Sequence, residues 1–504
     1  MQKKDFEAVL EALKRVKHKS TAAIKDFLTE MDAKNEESAL AGKHLTARAR
    51  ITTLFDEGTF VETGAFIKRR PTEFDVGAVD SDDFEGVITG YGSVGGRLVY
   101  AFSEDYYRAK GAVGEAHAKK ICALYDMAVK NGAPVVGIFD SCGAYVLEGV
   151  SALAGYGRIM SAVSAASGVI PQIAVVAGSC VGTSAAVAAM FDLMVISHGE
   201  AEYYVNPENK SCPAEAGIVS VVTEDEISAI TEAKLLVSLV PSNNCEGTVR
   251  VEGRESNANG KVDVSFVESG AYDIHSLLSA VTDGGRYREL SEKYAPELVC
   301  ALAPVGGIVT GIVATNPSVA DGALTPDGAR KAARMISFCD SFNIPVVTLV
   351  DSKGLTTEDA GDTRYASELA RLAAAYSSAS CPKVTVVVGK AVGASFTLLG
   401  SKSIGADVAL ALSTAKISAM TAESAVALLW DEKFAGATDP DTRRAELVAE
   451  WDATFGSAVE AAYRGEIDDV IPSDELRARI ASALEMLSMK NAGEVGRRHA
   501  NLPL

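Results

Sequence analysis

Metal-ligand chemistry has little to stand on in this chain. Its six histidines, at 18, 44, 117, 198, 275 and 499, are scattered over 504 residues. Eight cysteines, at 122, 142, 180, 212, 245, 300, 339 and 381, form no C-x-x-C pair and none stands at metal-ligand spacing from a histidine. No metal site is expected, and the thiols read as reduced. Basic charge is also short, 48 Lys+Arg against 67 Asp+Glu for a formal charge of −19. That excludes a nucleic-acid binder, which needs a basic face for phosphates, and leaves local basic clusters to meet any anionic ligand. Nowhere do eighteen apolar residues run uninterrupted, and Met1-Gln-Lys-Lys-Asp leads into an amphipathic pattern without an apolar leader core. A soluble, cytoplasmic protein is expected.

What the chain does have is a long internal repeat. Pro171–Ser184, PQIAVVAGSCVGTS, is echoed 211 residues later by Pro382–Ser395, PKVTVVVGKAVGAS. Each is a β-branched run suited to a buried parallel strand, then a glycine-spaced turn, then small residues that open a helix. At the same offset Pro134–Gly143 matches Pro345–Gly354, Gly111-Ala112 matches Gly322-Ala323, and Lys120 matches Lys331. Ungapped spacing over such a span means a duplicated α/β domain. With 48% apolar residues the chain can bury two cores.

The expected division is a first unit over 1–245 with a helical arm, a linker and bridging helix over 246–300, and a second unit over 301–504 with a helical tail from 441 to 492. The polar tract Glu246–Lys261 marks the linker, because it has few apolar residues and no steady period. A bridging helix is expected near 274–282, and two paired strands around Gly95-Gly96 within 86–105. In the first unit, Lys43, Arg48 and Arg50 gather three cations within eight residues, and Lys119 and Lys120 lie on the helix after Gly111. These five are candidates for meeting phosphates, with a solvated helix face as the plain alternative.

The turns carry almost no ionisable groups. Thr183-Ser-Ala-Ala-Val-Ala-Ala-Met190 follows Gly182 and Ala394-Ser-Phe-Thr-Leu-Leu399 follows Gly393, with no acid or base in either. They offer backbone N–H groups instead, from the Gly143-Ala144 and Gly354-Leu355 loops at strand ends and from helix starts at Gly182-Thr183 and Ala394-Ser395. Pairs of such donors form an oxyanion hole able to hold a thioester enolate. Glycines that merely permit tight turns and close packing are the competing explanation, and the matched pair of units weighs against it. Asp140, Glu148 and Asp351 are expected to hold loops and cap helices rather than to act as acids or bases.

Several runs carry a resemblance to a known family: HLTARARITTLFDEGTFVE (44–62), GVITGYGSVGGRLVYAFSED (86–105), GAVGEAHAKKI (111–121), RKAARMISFCDSFNIPVVTLVD (330–351), PKVTVVVGKAVGASF (382–396) and the terminal NLPL. The chain resembles, nearly end to end, the carboxyltransferase subunits of biotin-dependent acyl-CoA carboxylases and decarboxylases. The resemblance implies tandem crotonase-like domains of β-β-α spiral form. It implies a carboxyl group moved between a short acyl-CoA and biotin on a separate carrier protein or domain, with no metal. It maps one oxyanion hole onto Gly143 and Ala144 and the other onto Ala394 and Ser395. Gly182, Thr183, Gly354, Leu355, Phe396 and Thr397 become substrate-binding residues, Thr397 at the place that tunes acyl length. A hexamer is implied, with biotin carboxylase or membrane decarboxylase subunits as further partners, so that the protein is at most peripheral to a membrane. The family usually reads Asp-Ser-Gly-Gly-Ala-Arg where this chain has Asp140-Ser-Cys-Gly-Ala-Tyr145. Such changes in the first unit leave a second reading open: a divergent subunit that binds the carrier and completes the oligomer without turnover. A hydratase or isomerase would need carboxylates in the glycine turns, which are absent.

Overall fold

The computed structural model describes residues 45–490 except 73, 75–83, 200, 210–212, 252–261, 271, 357–361 and 435–438. The expected amino-terminal arm, Lys43 and the terminal NLPL lie outside the described residues. The first unit runs α1 (Ala47–Leu54), β1 (Val61–Thr63), β2 (Val87–Val94), β3 (Arg97–Glu104), α2 (Glu115–Asn131), β4 (Val135–Ser141), α3 (Val150–Ala166), β5 (Gln172–Val181), α4 (Thr183–Ala189), β6 (Leu193–Ser197), β7 (Glu202–Tyr204) and β8 (Val221–Thr223). Its strands order as β1-β2-β3-β4-β5-β6-β8, with β7 on the end of β5. Then come α5 (Glu226–Leu239) and α6 (Ile274–Val281).

The second unit repeats the plan: β9 (Arg288–Leu290), β10 (Leu298–Val305), β11 (Ile308–Thr315), α7 (Pro326–Ser341), β12 (Val346–Ser352), α8 (Tyr365–Ser378), β13 (Lys383–Val392), α9 (Ala394–Leu398), β14 (Val408–Leu412) and β15 (Lys416–Ser418). From β2 to the start of α4, each strand has its counterpart 211 residues on, and α2, α4 and their partners α7, α9 begin at that same spacing. β4 and β12 are buried along their whole length, as strands flanked on both sides by parallel neighbours must be.

The backbone duplicates in detail. Gly95-Gly96 (φ +57°, +80°) and Gly306-Gly307 (φ +60°, +80°) turn the two hairpins, the positive pair that matches strand twist. Ala109-Lys110-Gly111 and Ala320-Asp321-Gly322 all have positive φ. Four of these six are not glycine, a conformation costing on the order of 1–3 kcal/mol per residue unless the surroundings fix it. The glycine in each is obligatory, because a Cβ on Gly111 would lie 2.1 Å from the Asp140 carbonyl oxygen and one on Gly322 2.1 Å from that of Asp351.

Two expectations change. Helices α10 (Ala422–Leu429) and α11 (Asp431–Phe434) precede the expected helical tail, which contains α12 (Pro440–Ala453), α13 (Ala458–Tyr463) and α14 (Leu476–Met486), but also β16 (Asp469–Ile471), which pairs with β14 and closes the sheet order β16-β14-β13-β12-β11-β10-β9. A three-residue strand is too short to show a period; what fixes it is the Asp468 carboxylate accepting the Ala409 N–H at 2.8 Å. The second sheet also reaches back to β9, which pairs with β10 inside the stretch expected to be linker and bridge. The bridging helix itself is α6, whose Ile274, Leu277, Leu278 and Val281 are buried. One continuous core joins both sheets through α1, α5 and α6, while a second core packs α2 and α3 on the other face of the first sheet.

Candidate active site

Each unit builds a loop and a helix start at the carboxyl ends of its two central parallel strands. β4 and β5 lose register between Phe139 and Ser141, and β12 and β13 do the same between Val350 and Ser352. The bulge turns an aspartate inward in each. Asp140 accepts the Ser179 N–H at 3.0 Å, and Asp351 the Lys390 N–H at 2.8 Å. A Cβ on Gly178 or Gly389 would come within 2.2 Å of these carboxylates. The repeated glycines thus make room for the aspartates that hold the loops.

Beyond the bulge the chain pairs with the segment before α2 or α7. Val113 donates to the Gly143 carbonyl at 2.9 Å and Tyr145 to that of Val113 at 3.0 Å; Leu324 donates to Gly354 at 2.9 Å and Thr356 to Leu324 at 3.3 Å. In a parallel bridge of this kind the central residue turns its own N–H to the other side. Ala144 and Leu355 therefore present their N–H groups on the side of β5 and β13, where α4 and α9 begin. Gly182 (φ +62°, ψ −128°) and Gly393 (φ +59°, ψ −130°) precede those helices in the same conformation, each with no Cβ to obstruct it. The first N–H groups of α4 and α9, from Thr183, Ala394 and Ser395, have no partner within their helices.

This placement refines the expected donor set. Gly143 donates to Ser141 Oγ at 3.1 Å and Gly354 to Ser352 Oγ at 3.2 Å. Gly182 donates to the Tyr204 carbonyl and Gly393 to that of Ser418, both at 2.9 Å. Gly143 is thus corrected from donor to spacer: its N–H is already engaged, and its φ of +104° is what the turn needs. Ala144, Thr183, Leu355, Ala394 and Ser395 remain the candidate donors. Ser395 is buried with its hydroxyl on the Val392 carbonyl, Phe396 packs partly into the core, and Thr397 is exposed.

The candidate phosphate cations separate in the same way. Lys119 is exposed and Arg48 pairs with Glu62 at 2.6 Å. Arg50 is a correction. It is 1% exposed, with its guanidinium 2.8 Å from both Asp140 and Glu226, so no phosphate can reach it. Burial alone would lower its pKa, but the two carboxylates outweigh burial and hold it above the usual value. Lys120 is a second correction: it is buried, donates to the Val87 carbonyl, and burial brings its pKa down to about 8. Glu148 accepts the Glu115 N–H at 2.6 Å and so caps α2, as expected of a structural carboxylate. Glu226, Glu104, His117 and Tyr272, which surround the two aspartates, were not singled out in the sequence, because they come from segments far apart in the chain.

The carboxyl transferase domain family matches residues 40–205 and 210–502. The chain belongs to that family. It is 37% identical over 502 residues to the methylmalonyl-CoA decarboxylase subunit alpha of Propionigenium modestum, covering 93% of this chain and 95% of that one. It is 36% identical over 484 residues to the methylmalonyl-CoA carboxyltransferase 12S subunit of Propionibacterium freudenreichii subsp. shermanii, covering 91% of each. Among solved structures, a hexameric transcarboxylase 12S with hydrolysed methylmalonyl-coenzyme A bound superimposes with a TM-score of 0.85 at 34% identity, covering 95% of this chain and 98% of that one. The resemblance read from the sequence and the tandem α/β fold are both borne out, and the carboxyltransferase is an enzyme of that class. Among the described residues no helix is long and apolar enough to cross a membrane.

Proposed function

We propose that this carboxyltransferase subunit moves a carboxyl group between biotin on a separate carrier and a short acyl-CoA, the first unit holding the thioester and the second the biotin. The observation that carries the reading is the matched pair of donor sets, Ala144 with Thr183 and Leu355 with Ala394 and Ser395, beside helix starts without a side-chain acid or base. Biotin, when bound, supplies a ureido nitrogen that carries the carboxyl group. The ureido carbonyl and the thioester carbonyl are both acceptor oxygens, so sites built of backbone donors fit them. When the bond between the acyl α-carbon and its carboxylate breaks, the electron pair passes to the thioester oxygen as an enolate. The first-unit amides stabilise it because they are fixed in advance and need not reorganise.

The first-unit departures do not disturb this frame, so the non-catalytic reading is not favoured. Gly143 has φ +104° and Gly354 +121°, which means that Cys142 and Tyr145 leave the loop backbone like its partner. Tyr145 lies under the Arg69 guanidinium, 5.0 Å from the ring centre. The relatives' substrate and the hexamer support methylmalonyl-CoA as the first acyl group to try, a homo-hexamer as the assembly, and a biotin carrier as the partner. The test is to incubate the purified oligomer with malonyl-, methylmalonyl- or glutaconyl-CoA and free biotin and to follow acyl-CoA loss by mass spectrometry. Loss of one names the acyl group; loss of none, from a correctly assembled oligomer, overturns the reading.

A further inference from the structure

Behind the first-unit loop lies a buried group of ionisable side chains that the transfer chemistry above does not use. His117, on α2, is fully buried, with Nδ1 3.6 Å from Glu85 and Nε2 3.7 Å from Glu104. The other Glu104 oxygen accepts the N–H of Asp140 at 3.0 Å. Asp140 in turn holds Arg50 and the Ser179 N–H, and four residues on is the Ala144 donor. The second unit lacks this arrangement, its buried carboxylate beside Gly328 being Glu297, which accepts from the Thr325 hydroxyl. At the 211-residue offset Pro296, Thr315 and Gly328 replace Glu85, Glu104 and His117, and Asp351 N–H is held by the neutral Thr315 hydroxyl at 2.6 Å. One molecule thus carries the same loop twice, once backed by a titrating group and once by a hydroxyl.

We propose that Glu104, buried between His117 and the Asp140 N–H, is a positioning residue that holds a proton behind β4, and that its loss loosens the 140–144 loop of the first unit while leaving the second-unit loop unaffected. The inference rests on the reading that Ala144 is a donor for the acyl thioester. With Glu104 protonated, Glu85 is the one charged carboxylate of the group; with Glu104 ionised there are two, beside the Asp140 carboxylate. The surrounding groups cannot absorb the second charge. Arg50 is committed to Asp140 and Glu226, Lys120 lies on the Glu85 side, and Tyr156 and Cys180, facing Glu104, are neutral and raised further by burial. Burial, and after it the Asp140 charge, pushes Glu104 up to about 8, against the pull of the Asp140 N–H bond. The proton therefore leaves within reach of experiment.

The test uses hydrogen exchange of the intact oligomer on either side of about pH 8, with loop 351–355 as the internal reference for loop 140–144. The ratio of the two exchange rates should climb as pH rises towards about 8, by up to about tenfold per unit for a single proton, and level off above it, and Glu104→Gln, which keeps an oxygen for the Asp140 N–H but cannot ionise, should flatten it. A flat ratio in the natural protein, or an unchanged slope in Glu104→Gln, overturns the proposal. If Glu104→Gln does not assemble, Glu104→Thr, which supplies the hydroxyl that Thr315 supplies in the second unit, is read by the same ratio; a slope retained there overturns the proposal. In turnover, kcat should fall over the same window at constant KM in the natural protein and level out in Glu104→Gln. Absence of acyl-CoA turnover would overturn the proposed function alone, since the exchange ratio needs no turnover.

Discussion

Asp140 and Asp351 occupy matching places in the two units and are held by different chemistry. Asp140 is set among charges: Arg50 at 2.8 Å, Glu226 across the same guanidinium, and the Glu104–His117–Glu85 group behind. Asp351 is held by hydroxyls, that of Thr315 on its N–H and that of Tyr272 facing its carboxylate, a phenol raised by burial and then by the Asp351 charge, with Lys390 and Asp321 as the nearby charges. Yet the backbones around them match: Gly143 and Gly354 in the loops that follow both have positive φ, +104° and +121°, and Gly182 and Gly393 before the adjoining helices agree within a few degrees. The difference teaches that duplication has preserved what the chemistry needs, backbone donors at fixed positions, and left the side chains behind them free to diverge.

Removing the charge should break the comparison most strongly. Arg50→Met leaves Asp140 and Glu226 buried without their cation, an expected loss of about 3–5 kcal/mol, while Tyr272→Phe removes a single hydroxyl for about 1 kcal/mol. Denaturant unfolding of both variants measures the gap. Equal losses would mean that the charged cluster does no more than the hydroxyl.

The donors are expected to show symmetry where the cluster does not. Proline is tolerated at the first position of a helix, where the N–H is unpaired in any case, so Thr183→Pro and Ala394→Pro each delete one donor without breaking a helix. Each should lower transfer by about 10²–10³-fold. Thr183→Pro should do so in the acyl half-reaction and Ala394→Pro in the biotin half. Half-reactions run separately decide whether the two sites divide the work.

These contrasts also show what the sequence makes legible. The repeat, the strand ends, the glycine turns and the absence of side-chain acids were readable, because backbone geometry leaves a fixed spacing that 211 residues of separation do not blur. The family runs carried the reaction class. The partners of Asp140 were not readable: Arg50 looked like a phosphate ligand because one basic cluster in an acidic chain suggests an anion. Its partners are Asp140 and Glu226, the second 176 residues away with no local signal. Gly143 was misassigned for a subtler reason, since only the positions of hydrogen atoms separate a donor from the spacer beside it. β16 escaped because three residues have no period.

Stability should fall as pH rises from about 4.5 to about 8 on account of Glu104. Its folded pKa is raised, so the unfolded chain binds fewer protons over that window and unfolding grows easier. Glu104→Gln should remove this slope in a series of thermal unfolding curves. Persistence of the full slope would locate it elsewhere.

The smallest expected contrast concerns the paired lysines. Lys120 donates to the carbonyl of Val87, while Lys331 reaches those of Tyr294 at 2.8 Å and Leu298 at 2.7 Å. Val87 and Leu298 are themselves 211 apart. Lys331→Met abandons the Tyr294 and Leu298 carbonyls and the more distant Ala295 carbonyl at 3.5 Å, and should cost about 1–3 kcal/mol; Lys120→Met abandons one and relieves a buried charge, so it should fall within about 1 kcal/mol of neutral. The pH dependence separates this from simple packing. Burial lowers Lys120 from 10.5 to about 8, so between those values the unfolded chain binds more protons and stability should rise with pH, by up to about 1.4 kcal/mol per unit of displacement. Lys120→Met should lose that rise. If it keeps the whole of it, the alkaline gain belongs to Lys331, whose pKa burial also lowers, and the two lysines are alike in charge as well as in place.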